Sequence, residues 1–237
     1  MSKVGLRLHA DEEHWIPLSD LMTGLMFLFL LIALAYMWQV EQQAEQAKEV
    51  AVIYEQTRQD LYQDLLRTFK NDLPKWHAKL YRDTLSIRFE EPTVLFDTGQ
   101  ATVKPSFAAI LNDFFPRYVA ILTSPKYRNA ITEVRIEGYT SSFWHDGVTP
   151  REAYIDNMDL SQARTRSVLN YILAMPQMQD SAYWDWLRGR VTANGLSSSH
   201  LVTKSDGTED SYASQRVEFR VVTNADAQIR KVLELQQ

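Results

Sequence analysis

Cysteine is absent from the 237 residues, which excludes disulfides and thiolate metal sites without deciding the compartment. His9, His14, His77, His145 and His200 are scattered with no ligand spacing, so no zinc or other metal site is expected. No long run of lysine or arginine occurs. With 25 basic against 30 acidic residues and a formal charge of -5, the chain has no electrostatic footprint for nucleic acid. Paired carboxylates or a Ser-His-Asp constellation with a supporting structural context are missing too, so an enzyme is not expected and no cofactor is implied.

What is present begins with one stretch that water accommodates poorly. Residues 15–38, WIPLSDLMTGLMFLFLLIALAYMW, carry a single charge, Asp20. At about 1.5 Å per helical residue, the uncharged part from 21 to 38 nearly crosses a hydrocarbon core of about 30 Å. The stretch reads as one membrane-spanning helix, with the amphipathic rings of Trp15 and Trp38 at the two headgroup layers. Asp20 then lies inside the span near one face of the bilayer, where a carboxylate loses hydration and where acids commonly mark ion pathways. The bland alternative is that Ser19 or Asp20 caps the helix by accepting from its first free N–H groups. Ala33, Leu34 and Ala35 have the spacing of a signal-peptide cleavage site. Asp11, Glu12, Glu13 and Asp20 nevertheless stand where a signal peptide is positive, so the uncleaved helix is favoured. Lys3 and Arg7 on one side nearly balance Lys48 and Arg58 on the other, which leaves orientation open.

Beyond the span, Val40, Ala44, Ala47, Ala51, Tyr54, Leu61 and Leu65 follow a four-three alternation interrupted by Arg58. This is a helical seam with a period of about 3.5, and a parallel pair of such helices covers it better than solvent does. Residues 71–74, with Pro74, end the pattern. A mixed α+β domain follows. Residues 85–90 read as a strand, 96–99 as a turn, and Pro105 opens a helix to about 122 with Phe107, Ile110, Leu111, Phe114 and Phe115 on one side. Residues 131–139 read as a strand, 160–174 as a helix, 189–194 and 217–222 as strands, and 225–235 as a last helix. Strands separated by helices predict a sheet with helices on one face.

Four runs in this region, VLFDTGQATVKPS (94–106), RIEGYT (135–140), NMDLSQARTRSVLNYI (157–172) and QRVEFRVV (215–222), resemble in order the OmpA-like peptidoglycan-binding domain. The membrane stretch, a tryptophan and then Asp20 followed by Leu-Met-Thr and a span rich in methionine and phenylalanine, is similar to the B subunit of flagellar stators. The poorly basic tail and the long insertion after Thr140 fit the flagellar protein less well, and the chain looks more like the B subunit of the Zorya anti-phage defence system. The resemblance implies a cytoplasmic tail (1–14), a transmembrane helix (15–38), a periplasmic helical, coiled-coil-like linker (39–82) and an OmpA-like βαβαββ domain with a mixed sheet covered by helices (83–237). It implies a single-pass inner-membrane protein that anchors an ion-driven rotary motor to peptidoglycan. A homodimer of this chain would sit inside a pentamer of a polytopic membrane partner, with Asp20 passing the ion. H⁺ is favoured over Na⁺, which needs several oxygen ligands. A flagellar stator subunit and a passive membrane-to-wall tether are the alternatives.

In the family, a diaminopimelate group of the wall peptide is gripped by an aspartate after the GYT strand and by the arginine of an L-S-x-x-R motif. The resemblance carries these roles to Arg164, with Leu160 and Ser161 in the motif and Asn157 ahead of it, and to Thr140 and Ser141. Ser141 stands where the family has its aspartate and cannot pair with an ammonium group, so Asp146 or Asp156 of the insertion is the alternative. A helix beginning near Asp159 would add free N–H groups to the two-pronged donor of Arg164 and form a seat for a carboxylate. Asn157 or Asp159 would cap that helix, with Gln162 completing a box. A surface ion pair is the plainer reading of Arg164. Phe143, Trp144, Tyr183, Trp184 and Trp186 are suited to stacking on sugars but are read as packing residues. The acidic loop 205–210 lacks the ligand spacing of a calcium loop and is read as solvated.

Overall fold

The structure, a computed structural model, describes residues 15–224. The expected tail (1–14) and last helix (225–235) lie outside the described residues. Two compact units divide between Val50 and Ala51.

The first unit contains the start of helix α1 (Trp15–Phe69). Within it Ser19–Glu45 is long and apolar enough to cross a membrane, and none of it is buried in the protein. These 27 residues rise by about 40 Å, more than a hydrocarbon core requires. Asp20 is in the second turn of α1, so capping by Ser19 or Asp20 is excluded. The Ser19 carbonyl accepts from Thr23 Oγ1 at 2.8 Å.

In the second unit the end of α1 is part of the core. Leu61, Leu65 and Phe69, four residues apart on one stripe, are fully buried. Around them Tyr127 Oη donates to Asp64 at 2.6 Å, Lys126 pairs with Asp60 at 3.1 Å, and Arg117 donates to the Thr68 carbonyl at 2.8 Å. The expected boundary at residue 83 therefore falls inside this unit. The seam positions Leu61 and Leu65 are covered by the chain's own domain rather than by a second copy.

The chain continues through β1 (Ala78–Tyr81), β2 (Ser86–Phe89), α2 (Pro92–Leu95), α3 (Pro105–Leu122), β3 (Ile131–Tyr139), α4 (Pro150–Leu173), a 3-10 turn (Pro176–Gln179), α5 (Ser181–Arg188), β4 (Val191–Gly195), α6 (Ser211–Ser214) and β5 (Arg216–Thr223). The sheet order is β1-β2-β5-β3-β4, with β3 and β4 parallel and the other neighbours antiparallel. It is the mixed sheet of an α+β domain. β1 and the early start of α4 go beyond the expectation.

Alternation along the strands gives the sheet two unlike faces. Ile87, Phe89, Val134, Ile136, Val217, Phe219 and Val221 face the core, where Phe114 of α3 meets Phe69, Phe89 and Phe219 at ring distances of 5.4, 5.3 and 5.1 Å. The opposite face carries rows of polar side chains across the register, Ser86–Arg220–Arg135 and Arg88–Glu218–Glu137. Part of it is nonetheless buried. Glu218 sits between Arg216 Nε at 2.8 Å and Arg88 Nε at 2.9 Å, and Arg216 also donates to the His200 carbonyl at 3.1 Å in the loop that follows β4.

Candidate functional site

Helix α4 is seated unusually close to β3 and β4 because two glycines leave room for it. A Cβ on Gly138 would meet Thr165 Cγ2 at 2.6 Å and the Ser161 carbonyl at 3.1 Å, and one on Gly195 would collide with the backbone of Gln162. This close approach fixes the inward face of α4, on which Ala153, Asn157, Ser161, Arg164 and Thr165 are buried.

Arg164 is the chemically distinctive member. Its Nε donates to the Gln100 carbonyl at 2.9 Å, its Nη2 to the Asp97 carbonyl at 3.3 Å, and the guanidinium lies 4.9 Å from the centre of the Phe96 ring. The turn supplying both carbonyls is held by Gly99 at φ +69° and by a bond from Gln100 N to the Asp97 carbonyl at 3.0 Å. The Asp97 carboxylate is committed to Lys104 at 2.9 Å. Among the described residues, Arg164 therefore has no carboxylate partner. Burial pushes its guanidinium down to about 10, well below the ordinary arginine range. Beside it a crevice of about 10 Å³, lined by Phe96, Gly138, Tyr139, Ser161, Arg164 and Arg216, has room for about one small polar group.

The other expected residues gather one and two turns ahead on α4. Ser161 Oγ donates to the Met158 carbonyl at 2.9 Å and accepts from Ser197 N at 3.1 Å, while the Ser197 carbonyl accepts from Thr140 N at 3.0 Å. The buried Thr140 hydroxyl has no partner among the described residues. Asn157 Nδ2 and Ser141 Oγ both donate to the Phe143 carbonyl, at 3.2 and 3.4 Å. Leu160 is half-buried on the same helix, and Asp146 and Asp156 make no hydrogen bond or ion pair with Ser141 or Arg164 among the described residues. Ser197, held at φ +50°, and the carbonyls of Asp97 and Gln100 were not expected at the site; Gly99 marks the turn that carries the two carbonyls, and Ser197 has no local signal.

Two expectations are corrected. Helix α4 begins at Pro150, where the Thr149 side chain accepts from Glu152 N at 3.3 Å and the Glu152 carboxylate accepts from Thr149 N at 2.9 Å. Asn157, Asp159 and Leu160 are thus interior, no free N–H groups are presented near Asp159, and neither Asn157 nor Asp159 is the cap. Arg164 is a buried residue and not a surface ion pair. Of the aromatics, Trp186 is buried with Nε1 donating to the Arg128 carbonyl at 3.2 Å, Tyr183 packs against the core, Trp144 is half-buried, and Phe143 and Trp184 are exposed. In the loop 205–210, Asp206 accepts from Thr208 N at 2.9 Å and Glu209 from Ser142 N at 3.0 Å.

Residues 95–216, which include every residue of this site, match the OmpA family. A Zorya protein ZorB from Escherichia coli strain Crooks is 45% identical over 224 residues, covering 94% of this chain and 94% of the relative. The chain belongs to the ZorB family of Zorya proteins. A second Zorya protein ZorB, from Escherichia coli O139:H28, is 26% identical over 222 residues, 90% of this chain and 81% of that relative. Among solved structures, a MotB-like protein from Desulfovibrio vulgaris aligns with 75% of this chain and 98% of its own at 20% identity and a TM-score of 0.48.

Proposed function

We propose that this protein is the peptidoglycan-anchored subunit of an inner-membrane, proton-driven motor that serves anti-phage defence. Membership of the ZorB family supports the setting, and the OmpA-family domain supports the anchor. The observation that carries the motor reading is Asp20, the one charged side chain between residues 19 and 38, on a stretch of α1 whose large apolar residues from Leu21 to Trp38 are exposed. In lipid that helix needs protein neighbours to shelter the acid, and a ring of a polytopic partner around two copies of this chain would supply them. Alternate protonation of the two Asp20 side chains moves charge through the contact, and each charge crossing the potential yields about 2.3 kcal/mol per 100 mV.

In this reading the tail (1–14) is cytoplasmic, 15–38 is the span, and the linker and wall domain are periplasmic. Arg164 receives a carboxylate of the wall peptide at the crevice, because a buried guanidinium without a counter-charge gains most from a bidentate anion. Thr140 and Ser141 line the approach, and Asn157 and Ser161 position the loops that frame it. The grip on murein holds the dimer still while the partner turns.

Phage plating tests the motor half. Asp20→Asn, which cannot carry a proton, loses protection while the complex still co-purifies with its membrane partner, and Asp20→Glu retains part of it. Full protection by Asp20→Asn would leave only a tether. Sedimentation with purified murein tests the anchor half: Arg164→Ala stays in the supernatant, and co-sedimentation equal to the parent removes the wall site.

A further inference from the structure

The loop between β3 and α4 carries an aromatic ring that packing does not explain. Phe143 is 59% exposed, yet its backbone is tied at several points. Its carbonyl accepts from Asn157 and Ser141 at 3.2 and 3.4 Å, and the preceding Ser142 donates its N–H to Glu209 at 3.0 Å and its hydroxyl to the same carboxylate. An apolar face displayed from an immobilised loop has already lost most of the ordering entropy that binding would otherwise cost.

The residue that holds the Phe143 carbonyl lies on the same helix as Arg164. Asn157 and Arg164 share the inward face of α4, and the seven residues from one to the other rise by about 10 Å. In murein the stem peptide joins the diaminopimelate residue to a sugar, so one ligand presents both a carboxylate and a pyranose ring. A pyranose ring has an apolar C–H face that matches the face of an aromatic ring.

We propose that Phe143 is a stacking platform for a murein sugar, so that the site reads the glycan together with the stem peptide. This rests on the reading of Arg164 as the seat of the peptide carboxylate. Asn157 and Glu209 act through Phe143 as positioning residues, since they hold its carbonyl and the residue before it.

The test uses the full chain in detergent micelles and two probes, the free stem tripeptide containing diaminopimelate and the same tripeptide attached to its disaccharide. The parent binds the disaccharide form about tenfold more tightly, equivalent to about 1.4 kcal/mol. In Phe143→Ala the ratio of the two Kd values falls to about one, and in Phe143→Trp it is kept. A ratio in Phe143→Ala equal to the parent's overturns the proposal, as does a parent that binds both probes alike. Arg164→Ala reports on the underlying site separately: undiminished binding of the free tripeptide by that variant sinks the wall-site reading, whereas a failure confined to the Phe143 arms leaves Arg164 in place.

Discussion

Replacing Arg164 by methionine separates binding from stability, because the structure holds this charge at a cost. Lowering the guanidinium from its ordinary range to about 10 corresponds to about 3 kcal/mol of destabilisation at neutral pH. The sign follows from proton counts. Below about pH 10 folded and unfolded chains both carry the proton and the penalty is complete; above it, up to the ordinary arginine range, the unfolded chain binds more protons, so stability rises with pH. Against the gain from removing the charge stand the bonds to the carbonyls of Gln100 and Asp97 at 2.9 and 3.3 Å, which methionine leaves unmade at about 1 kcal/mol each. An unbranched methionine still fills the space beside Phe96. Arg164→Met is therefore expected to stabilise the protein by about 1 kcal/mol, raising Tm by about 2–4 °C. It should also abolish the response to the stem tripeptide. Thermal melts of the full chain in micelles, with and without the tripeptide, read both effects. A variant melting more than about 4 °C below the parent would refute the bookkeeping, and one that the tripeptide stabilises as it does the parent would remove Arg164 from the site.

Further consequences concern the fold around the site. Glu218→Ala leaves Arg216 and Arg88 without the carboxylate they share at 2.8 and 2.9 Å, and should cost about 3–5 kcal/mol in urea unfolding; a loss below about 1 kcal/mol would show that the network is not held together by Glu218. Gly195→Ala drives a methyl into the Gln162 backbone, so the melt should show a loss of about 1–3 kcal/mol and murein sedimentation should weaken as α4 is pushed outward. An alanine variant that melts with the parent contradicts the close seating. Tripeptide binding should be constant between about pH 6 and 9 and be lost as pH rises through about 10, since the bound carboxylate favours the charged guanidinium. Affinity constant up to about pH 12 would mean that the guanidinium keeps an ordinary affinity for its proton.

Much of the domain was legible because its signals are local. Pro105 and the stripe of Phe107, Leu111, Phe114 and Phe115 define α3, whose observed bounds are Pro105–Leu122, and the alternation in β3 gives Ile131–Tyr139. The start of α4 was also written locally, in Thr149, Pro150 and Glu152, a capping box with proline at the first helical position. The L-S-x-x-R motif drew the expected start to 160, although that motif marks the face of a helix and not its end. β1 escaped notice because its four residues are too few to show a period, and it exists by pairing with β2. The burial of Arg164 has no local signal, since the carbonyls that receive it come from a turn 64 and 67 residues earlier. Arg216 and Glu218 alternate with Val217 and Phe219 and so read as solvent-facing, but the loop after β4 covers them.

The central claim is that Asp20 carries protons through a complex held to the wall. Proton uptake into energised membrane vesicles containing this chain and its polytopic partner measures it directly. Vesicles with the parent chain should take up protons when a potential is imposed, and vesicles with Asp20→Asn, assembled to the same level, should not. Equal uptake by the two would contradict the account.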